Sequence, residues 1–284
     1  MSTALTSPQQ QPETNLTVAA RLEGKSSLVE VLYYNALHGS EDIAGAQQLY
    51  YAQQVGLRLK QVRITLQNSD AIAEAGALHF MHGHISLESS AGGLGGMVKK
   101  MAANMLSGEA VFKPRYRGTG HIYLEPTFGH YLLIRLDGEE AIVEKQMFYA
   151  AEGSVDVGVA MQKNLASGLF GGEGWFQTSI KGQGWCVLNS PVPAEELVRV
   201  TLKDEKLSVD GSFALLRKGK LDFKVEKSTK SLFGTATSGE GLLQTFSGTG
   251  EVWLAPTQSI YDRLRAQGLA ALTRPQVSMG QHPK

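Results

Sequence analysis

The stretch Val62-Arg-Ile64-Thr-Leu66 decides the fold, because it returns twice. Leu132-Leu-Ile134-Arg-Leu136 repeats it at an offset of 70 residues, and Val198-Arg-Val200-Thr-Leu202 at an offset of 136. In its first form Val62, Ile64 and Leu66 alternate with Arg63 and Thr65, the period-two pattern of a half-buried strand. The same offsets carry Ala73-Glu74 to Val143-Glu144 and Val209-Asp210, and Gly83-His-Ile85-Ser-Leu87 to Gly153-Ser-Val155-Asp-Val157 and Gly219-Lys-Leu221-Asp-Phe223.

A second block follows in each unit. GEAVFKPRYRGTGHIYLEP (108–126) parallels GEGWFQTSIKGQGWCVLNSP (172–191) and GEGLLQTFSGTGEVWLAP (239–256). Its offsets are near 64 and 130, so about six extra residues of the first copy lie between Leu87 and Gly108. Each block holds Gly-Glu, a short run, Gly-x-Gly and an apolar strand, with the glycines at turns or bulges. A unit of about 65 residues has too little interior to stand alone, so the copies should share one body. The sequence predicts an all-β protein of three related β lobes, at 57–126, 130–191 and 197–256, within a β domain spanning 57–256.

The flanks read differently. Residues 1–16 are expected to be a disordered tail, and 17–56 an extension whose structured part is a helix at 41–55. Ser40 would cap that helix and Gly56 would stop it. Residues 257–284 should form a C-terminal helix, at 258–272 and packed on the β body, followed by a loose tail.

Composition narrows the function. Lys plus Arg equals Asp plus Glu at 27 each, and the pI is 7.1, so no excess of positive charge draws the chain to nucleic acid. Cys186 is the single cysteine, which excludes an intramolecular disulfide and a cysteine zinc site. The start is rich in Ser, Gln and Pro and reads as neither a signal nor a transit peptide. No run approaches the ~18 apolar residues of a membrane span. A cytoplasmic protein, at most peripheral to a membrane, is expected.

The segments EAGALHFMHGHISLES, GGLGGMVKKMAANMLSGEAVF, LFGGEGWFQTSIKGQGWCVL and LFGTATSGEGLLQTFSGTGEVWL together resemble the altered inheritance of mitochondria protein 24 family. The resemblance covers roughly residues 57–256 and implies the fold of the tryptophan RNA-binding attenuation protein, a β-sandwich of double-stranded β-helix type. It implies mitochondrial inner-membrane organisation for eukaryotic members, a location not expected here without a targeting segment. It supplies no catalytic residues.

Candidate sites are few. Gly76, His82, His84, Glu88 and Gly95 match the spacing of the first cupin metal motif, and imidazole with carboxylate suits a transition metal. The second cupin motif is absent, although His121 and His130 could complete a site in space. The other copies place Glu152 and Ser154, then Lys218 and Lys220, at the two histidine positions. That pattern reads as an exposed polar turn around a central Gly, with Met81, Ile85 and Leu87 on the core-facing parity. No metal and no cofactor are therefore expected.

The Gly-rich runs at 92–96 and 168–174 lack the Lys-Ser/Thr of a phosphate loop and read as turns. Met97, Met101 and Met105 fall on one face of a short amphipathic helix beside Lys99 and Lys100, a candidate contact for a partner protein or membrane surface. Glu109, Glu173 and Glu240 form a candidate acidic trio at equivalent places. The expected function is non-enzymatic binding or scaffolding by a homo-oligomer, without nucleic acid. The alternatives are a cupin-like metal enzyme using His82, His84 and Glu88, and RNA binding by analogy of fold.

Overall fold

The structure, a computed structural model, describes residues 15–88, 113–162, 175–210, 213–227 and 242–267. Alternating apolar residues build β1 (Leu16–Glu23), β2 (Ser27–Tyr34), β3 (Lys60–Ala73), β4 (Leu78–Glu88), β5 (Arg115–Leu124) and β6 (His130–Val143). They are followed by β7 (Phe148–Glu152), β8 (Val155–Gln162), β9 (Trp175–Ser190), β10 (Val198–Asp210), β11 (Ala214–Lys227) and β12 (Leu242–Leu254). The described helices are α1 (Ile43–Gln54), a 3-10 turn at Ala194–Glu196, and α2 (Gln258–Gln267). The fold is all-β, as the sequence predicts. The strands form one twelve-stranded antiparallel sheet whose main path runs β1-β2-β3-β7-β9-β6-β11-β12-β10.

The pairing is the same in each lobe. Arg63 faces Tyr123, Leu133 faces Val187 and Arg199 faces Trp253, at the offsets seen in the sequence. In all three the first strand slips register at one place, at Asn68, Gly138 and Asp204, where φ is 49°, 90° and 59°. Each is a bulge whose residue is left out of the ladder and turns left-handed, a conformation that Gly, Asn and Asp tolerate best.

The core is three apolar clusters, one per lobe. The first joins Val62, Ile64, Leu66, Ile122 and Leu124 to Tyr149, Ala150, Trp185 and Val187 of the second lobe. The second joins Leu132, Leu136, Ile180 and Leu188 to Leu215, Leu216, Trp253 and Ala255 of the third. The described members of the third cluster (Leu202, Val209, Phe223, Phe246, Val252 and neighbours) all belong to the third lobe.

The structure corrects the reading of the N-terminal extension. Residues 17–56 carry more than a helix: β1 and β2 form a hairpin, and β2 lies against β3 with Val31 opposite Val62. Leu16 already belongs to β1, and Asn15 exchanges two hydrogen bonds with the backbone of Ala36, so the ordered chain begins before residue 17. Val29, Val31 and Leu32 are buried, and a strand closing the flank of β3 hides that face. The cap of α1 also moves. Asp42, not Ser40, accepts from Gly45 N at 2.7 Å, while the Ser40 hydroxyl donates to Asp42 O. Gly56 follows α1 with φ +72°, as a helix stop requires. At the other end α2 is tied to the body by Thr257 and Tyr261, whose hydroxyls both donate to the Glu196 carboxylate. No described helix is long and apolar enough to cross a membrane.

Candidate functional site

The histidine pair sits inside a strand. His82, Gly83 and His84 lie in the middle of β4, opposite His121, Gly120 and Thr119 of β5. The expected exposed turn is therefore corrected: only the second lobe breaks here, between β7 and β8. The glycines serve close approach of backbones. A Cβ at Gly118 would stand 1.9 Å from His84 O, and one at Gly83 would stand 2.7 Å from Gly120 Cα.

Parity is as read for the polar residues, but their convergence fails. His82, His84 and Glu88 share a face, yet six residues of extended strand separate His82 from Glu88 by about 20 Å. Glu88 is instead paired with Arg117 at 3.0 Å. His121 does come beside His82, and its Nδ1 lies 3.0 Å from Thr65 Oγ1. His130 stands apart at the start of β6, where burial and then the Lys60 charge hold its imidazole below the usual range. Among the described residues no three His, Cys, Asp or Glu side chains gather as a metal site.

The opposite parity is corrected too. Ile85 packs against the first core cluster, but Met81 is 40% exposed and Leu87 53%. Phe80 is 47% exposed and stacks on Tyr123 with ring centroids 4.2 Å apart. The reason is topological: among the described residues β4 pairs with β5 alone, and no strand lies along its outer edge. The Met97, Lys99, Lys100, Met101 and Met105 group, the Glu109, Glu173 and Glu240 trio, and both Gly-rich runs lie outside the described residues.

Between the lobes the structure assembles polar groups that sequence reading missed. Glu152, read as exposed, is buried at the seam of lobes one and two. It accepts from Lys25 N at 2.9 Å and from the Ser27 hydroxyl at 2.8 Å, while Trp185 Nε1 donates to Ser27 Oγ at 2.8 Å. At the next seam Arg217 donates to Gln177 Oε1 at 2.6 Å, and Gln177 Nε2 donates to Glu144. Burial raises the Glu144 carboxyl and depresses Arg217 to about 10. A cleft of about 490 Å³ opens beside the first seam, lined by Glu74, Lys113, Lys145, Phe148, Tyr149 and Asn189. Lys113 and Glu74 form an ion pair across it, and Tyr149 stacks on Tyr131 at 5.2 Å, both phenols raised chiefly by burial. The sole signal in the sequence for these contacts was Trp185, a large amphipathic residue in a predicted strand whose N–H needs a partner when buried.

Residues 52–257 match the mitochondrial biogenesis AIM24 family over its three lobes. The chain belongs to that family. Its fold is similar to the crystal structure of protein SPYM3_0169 from Streptococcus pyogenes, with a TM-score of 0.54 and 20% identity. The alignment covers 74% of this chain and 94% of that one. No curated protein matches this AIM24-family chain. The likeness to the streptococcal protein concerns the fold alone.

Proposed function

We propose that this AIM24-family chain is a binding or scaffolding protein rather than an enzyme, and that it acts by assembly through its β lobes. One observation carries the reading. Strand β4, paired on one side only among the described residues, exposes Phe80 on one face and Met81 and Leu87 on the other. An unpaired edge carrying large apolar side chains is a template for another chain, and native proteins usually blunt or cover such edges. The buried polar groups fit a scaffold as well: Glu152 is tied to Ser27 of the N-terminal hairpin, and Arg217 bonds Gln177 across the second seam. The balanced charge supports protein contacts over nucleic acid. A cytoplasmic location, peripheral to a membrane at most, belongs to the same proposal.

Affinity capture from native cells with tagged wild type and a Phe80→Asp variant tests the reading. A recurrent protein, a copy of the chain included, should be retained by wild type and reduced at least tenfold by the variant. Elemental analysis of the same preparations should find no stoichiometric transition metal. One metal per chain, lost in both His82→Ala and His84→Ala, would replace the scaffold by a metalloprotein.

A further inference from the structure

The lobes are joined by two seams of one register. At the first, Ala71, Ile72 and Ala73 of β3 face Glu152, Ala151 and Ala150 of β7. At the second, Ala141, Ile142 and Val143 of β6 face Lys218, Arg217 and Leu216 of β11. The end of each lobe's first strand thus lies along the beginning of the next lobe's second strand. Carried one step further by the same offsets, the rule sets Leu207, Ser208 and Val209 of β10 against His82, Met81 and Phe80 of β4. In this chain those segments are not joined: β10 pairs with β12 and β4 with β5.

The apolar clusters point the same way. Ala150 and Val187 complete the core of the first lobe, and Leu216 and Trp253 complete that of the second. The first-lobe counterparts of both pairs are Phe80 and Tyr123, which stack on each other beside the free edge. Among the described residues the third cluster holds none from another lobe, and Val198, the counterpart of the buried Val62 and Leu132, is 47% exposed. One end of the chain carries an unused plug and the other an uncapped core.

We propose that β10 of one copy pairs with β4 of a second copy, Leu207–Val209 running antiparallel to Phe80–His82, so that the first lobe of one chain caps the third lobe of the next. This rests on the assembly reading above and names its partner. A second copy is the occupant because the two free edges belong to one sequence and complement each other in register and in apolar content. In this arrangement His82 and His121 take the seam positions held by Glu152 and Trp185, then by Lys218 and Glu251. The contact is head-to-tail, so it propagates until a ring closes or a filament grows.

Cysteine pairing reads the register directly. Residues directly opposite in an antiparallel pair have Cα atoms about 4.5–5.5 Å apart, within disulfide reach. Met81 and Ser208 are both exposed, and the native Cys186 is buried. Mixed and oxidised, Met81→Cys and Ser208→Cys chains should give a linked species of two chains. Mixing Met81→Cys with Lys203→Cys, roughly 15 Å off register, should not. Sedimentation should show wild type above the 30.7 kDa of one chain, with at least tenfold weaker association in Phe80→Asp. A wild type that stays monomeric overturns the proposal, as does a Met81→Cys/Ser208→Cys double variant that links only within one chain. A different captured protein, with the chain itself monomeric, would sink this proposal and leave the binding-protein reading standing.

Discussion

Asn68, Gly138 and Asp204 hold one position in the three lobes, and the structure explains why the residue type can change there. Nothing lies within 4 Å of where a Cβ at Gly138 would stand, so only the left-handed conformation limits the choice. The backbone N–H of Asn68 donates to Thr119 Oγ1 at 3.0 Å and that of Asp204 to Thr249 Oγ1 at 3.1 Å. Gly138→Asn is therefore expected to change stability by less than about 1 kcal/mol in denaturant titration. Gly118→Asn should cost more than the roughly 1–3 kcal/mol of a strained backbone, because its Cβ would meet the His84 carbonyl. His130 supplies a pH test. Its folded pKa is depressed below the ordinary 6.5 by burial, so the unfolded chain binds the proton more readily. The stability it contributes is present above about pH 6.5 and is lost as pH falls through the folded value. Melting temperatures of His130→Gln should fall less than those of wild type between pH 7.5 and 5.5. Cys186 is wholly buried, and burial pushes its thiol up, so a thiol reagent should label it only as fast as the protein unfolds.

The elements owe their existence to local pattern and their energies to what they meet. Strands β3, β6 and β10 were legible because their period-two alternation repeats, but the bulges were not: they were expected at the Gly-x-Gly pairs, which run inside β5, β9 and β12, and fall instead at Asn68, Gly138 and Asp204. Nor was the β1–β2 hairpin. Leu28-Val-Glu-Val-Leu32 alternates only partly, has no copy elsewhere, and becomes a strand by covering β3. The first seam shows the scale of such contacts. Ser27 joins the Glu152 carboxylate to the Trp185 indole, all three buried. Ser27→Ala leaves a buried N–H without its acceptor and removes one donor from a buried carboxylate, at about 1–3 kcal/mol. Urea unfolding should show that loss, whereas Ser86→Ala, on the exposed β4, should change stability by less than about 0.5 kcal/mol.

At the scale of the whole molecule, three like lobes in a row leave unlike ends. Among the described residues the first lobe gains β1 and β2 on one flank of β3 and leaves β4 paired on one side, and the third cluster is formed by its own lobe. The sequence by itself determined the all-β class, because a strand's alternation answers to its own backbone and nearest partner. His82, His84 and Glu88 keep one parity along β4. Only the tertiary structure decided that the face is a single long edge rather than a cluster. It also decided that the aligned position is buried in Glu152 and open in His82, and that Met81 and Leu87 meet solvent. The reason is physical: parity says which way a side chain points, but burial depends on whether another strand, distant in sequence, arrives beside it. Among the described residues such a strand arrives at β7 and at β11 and none lies along the outer edge of β4.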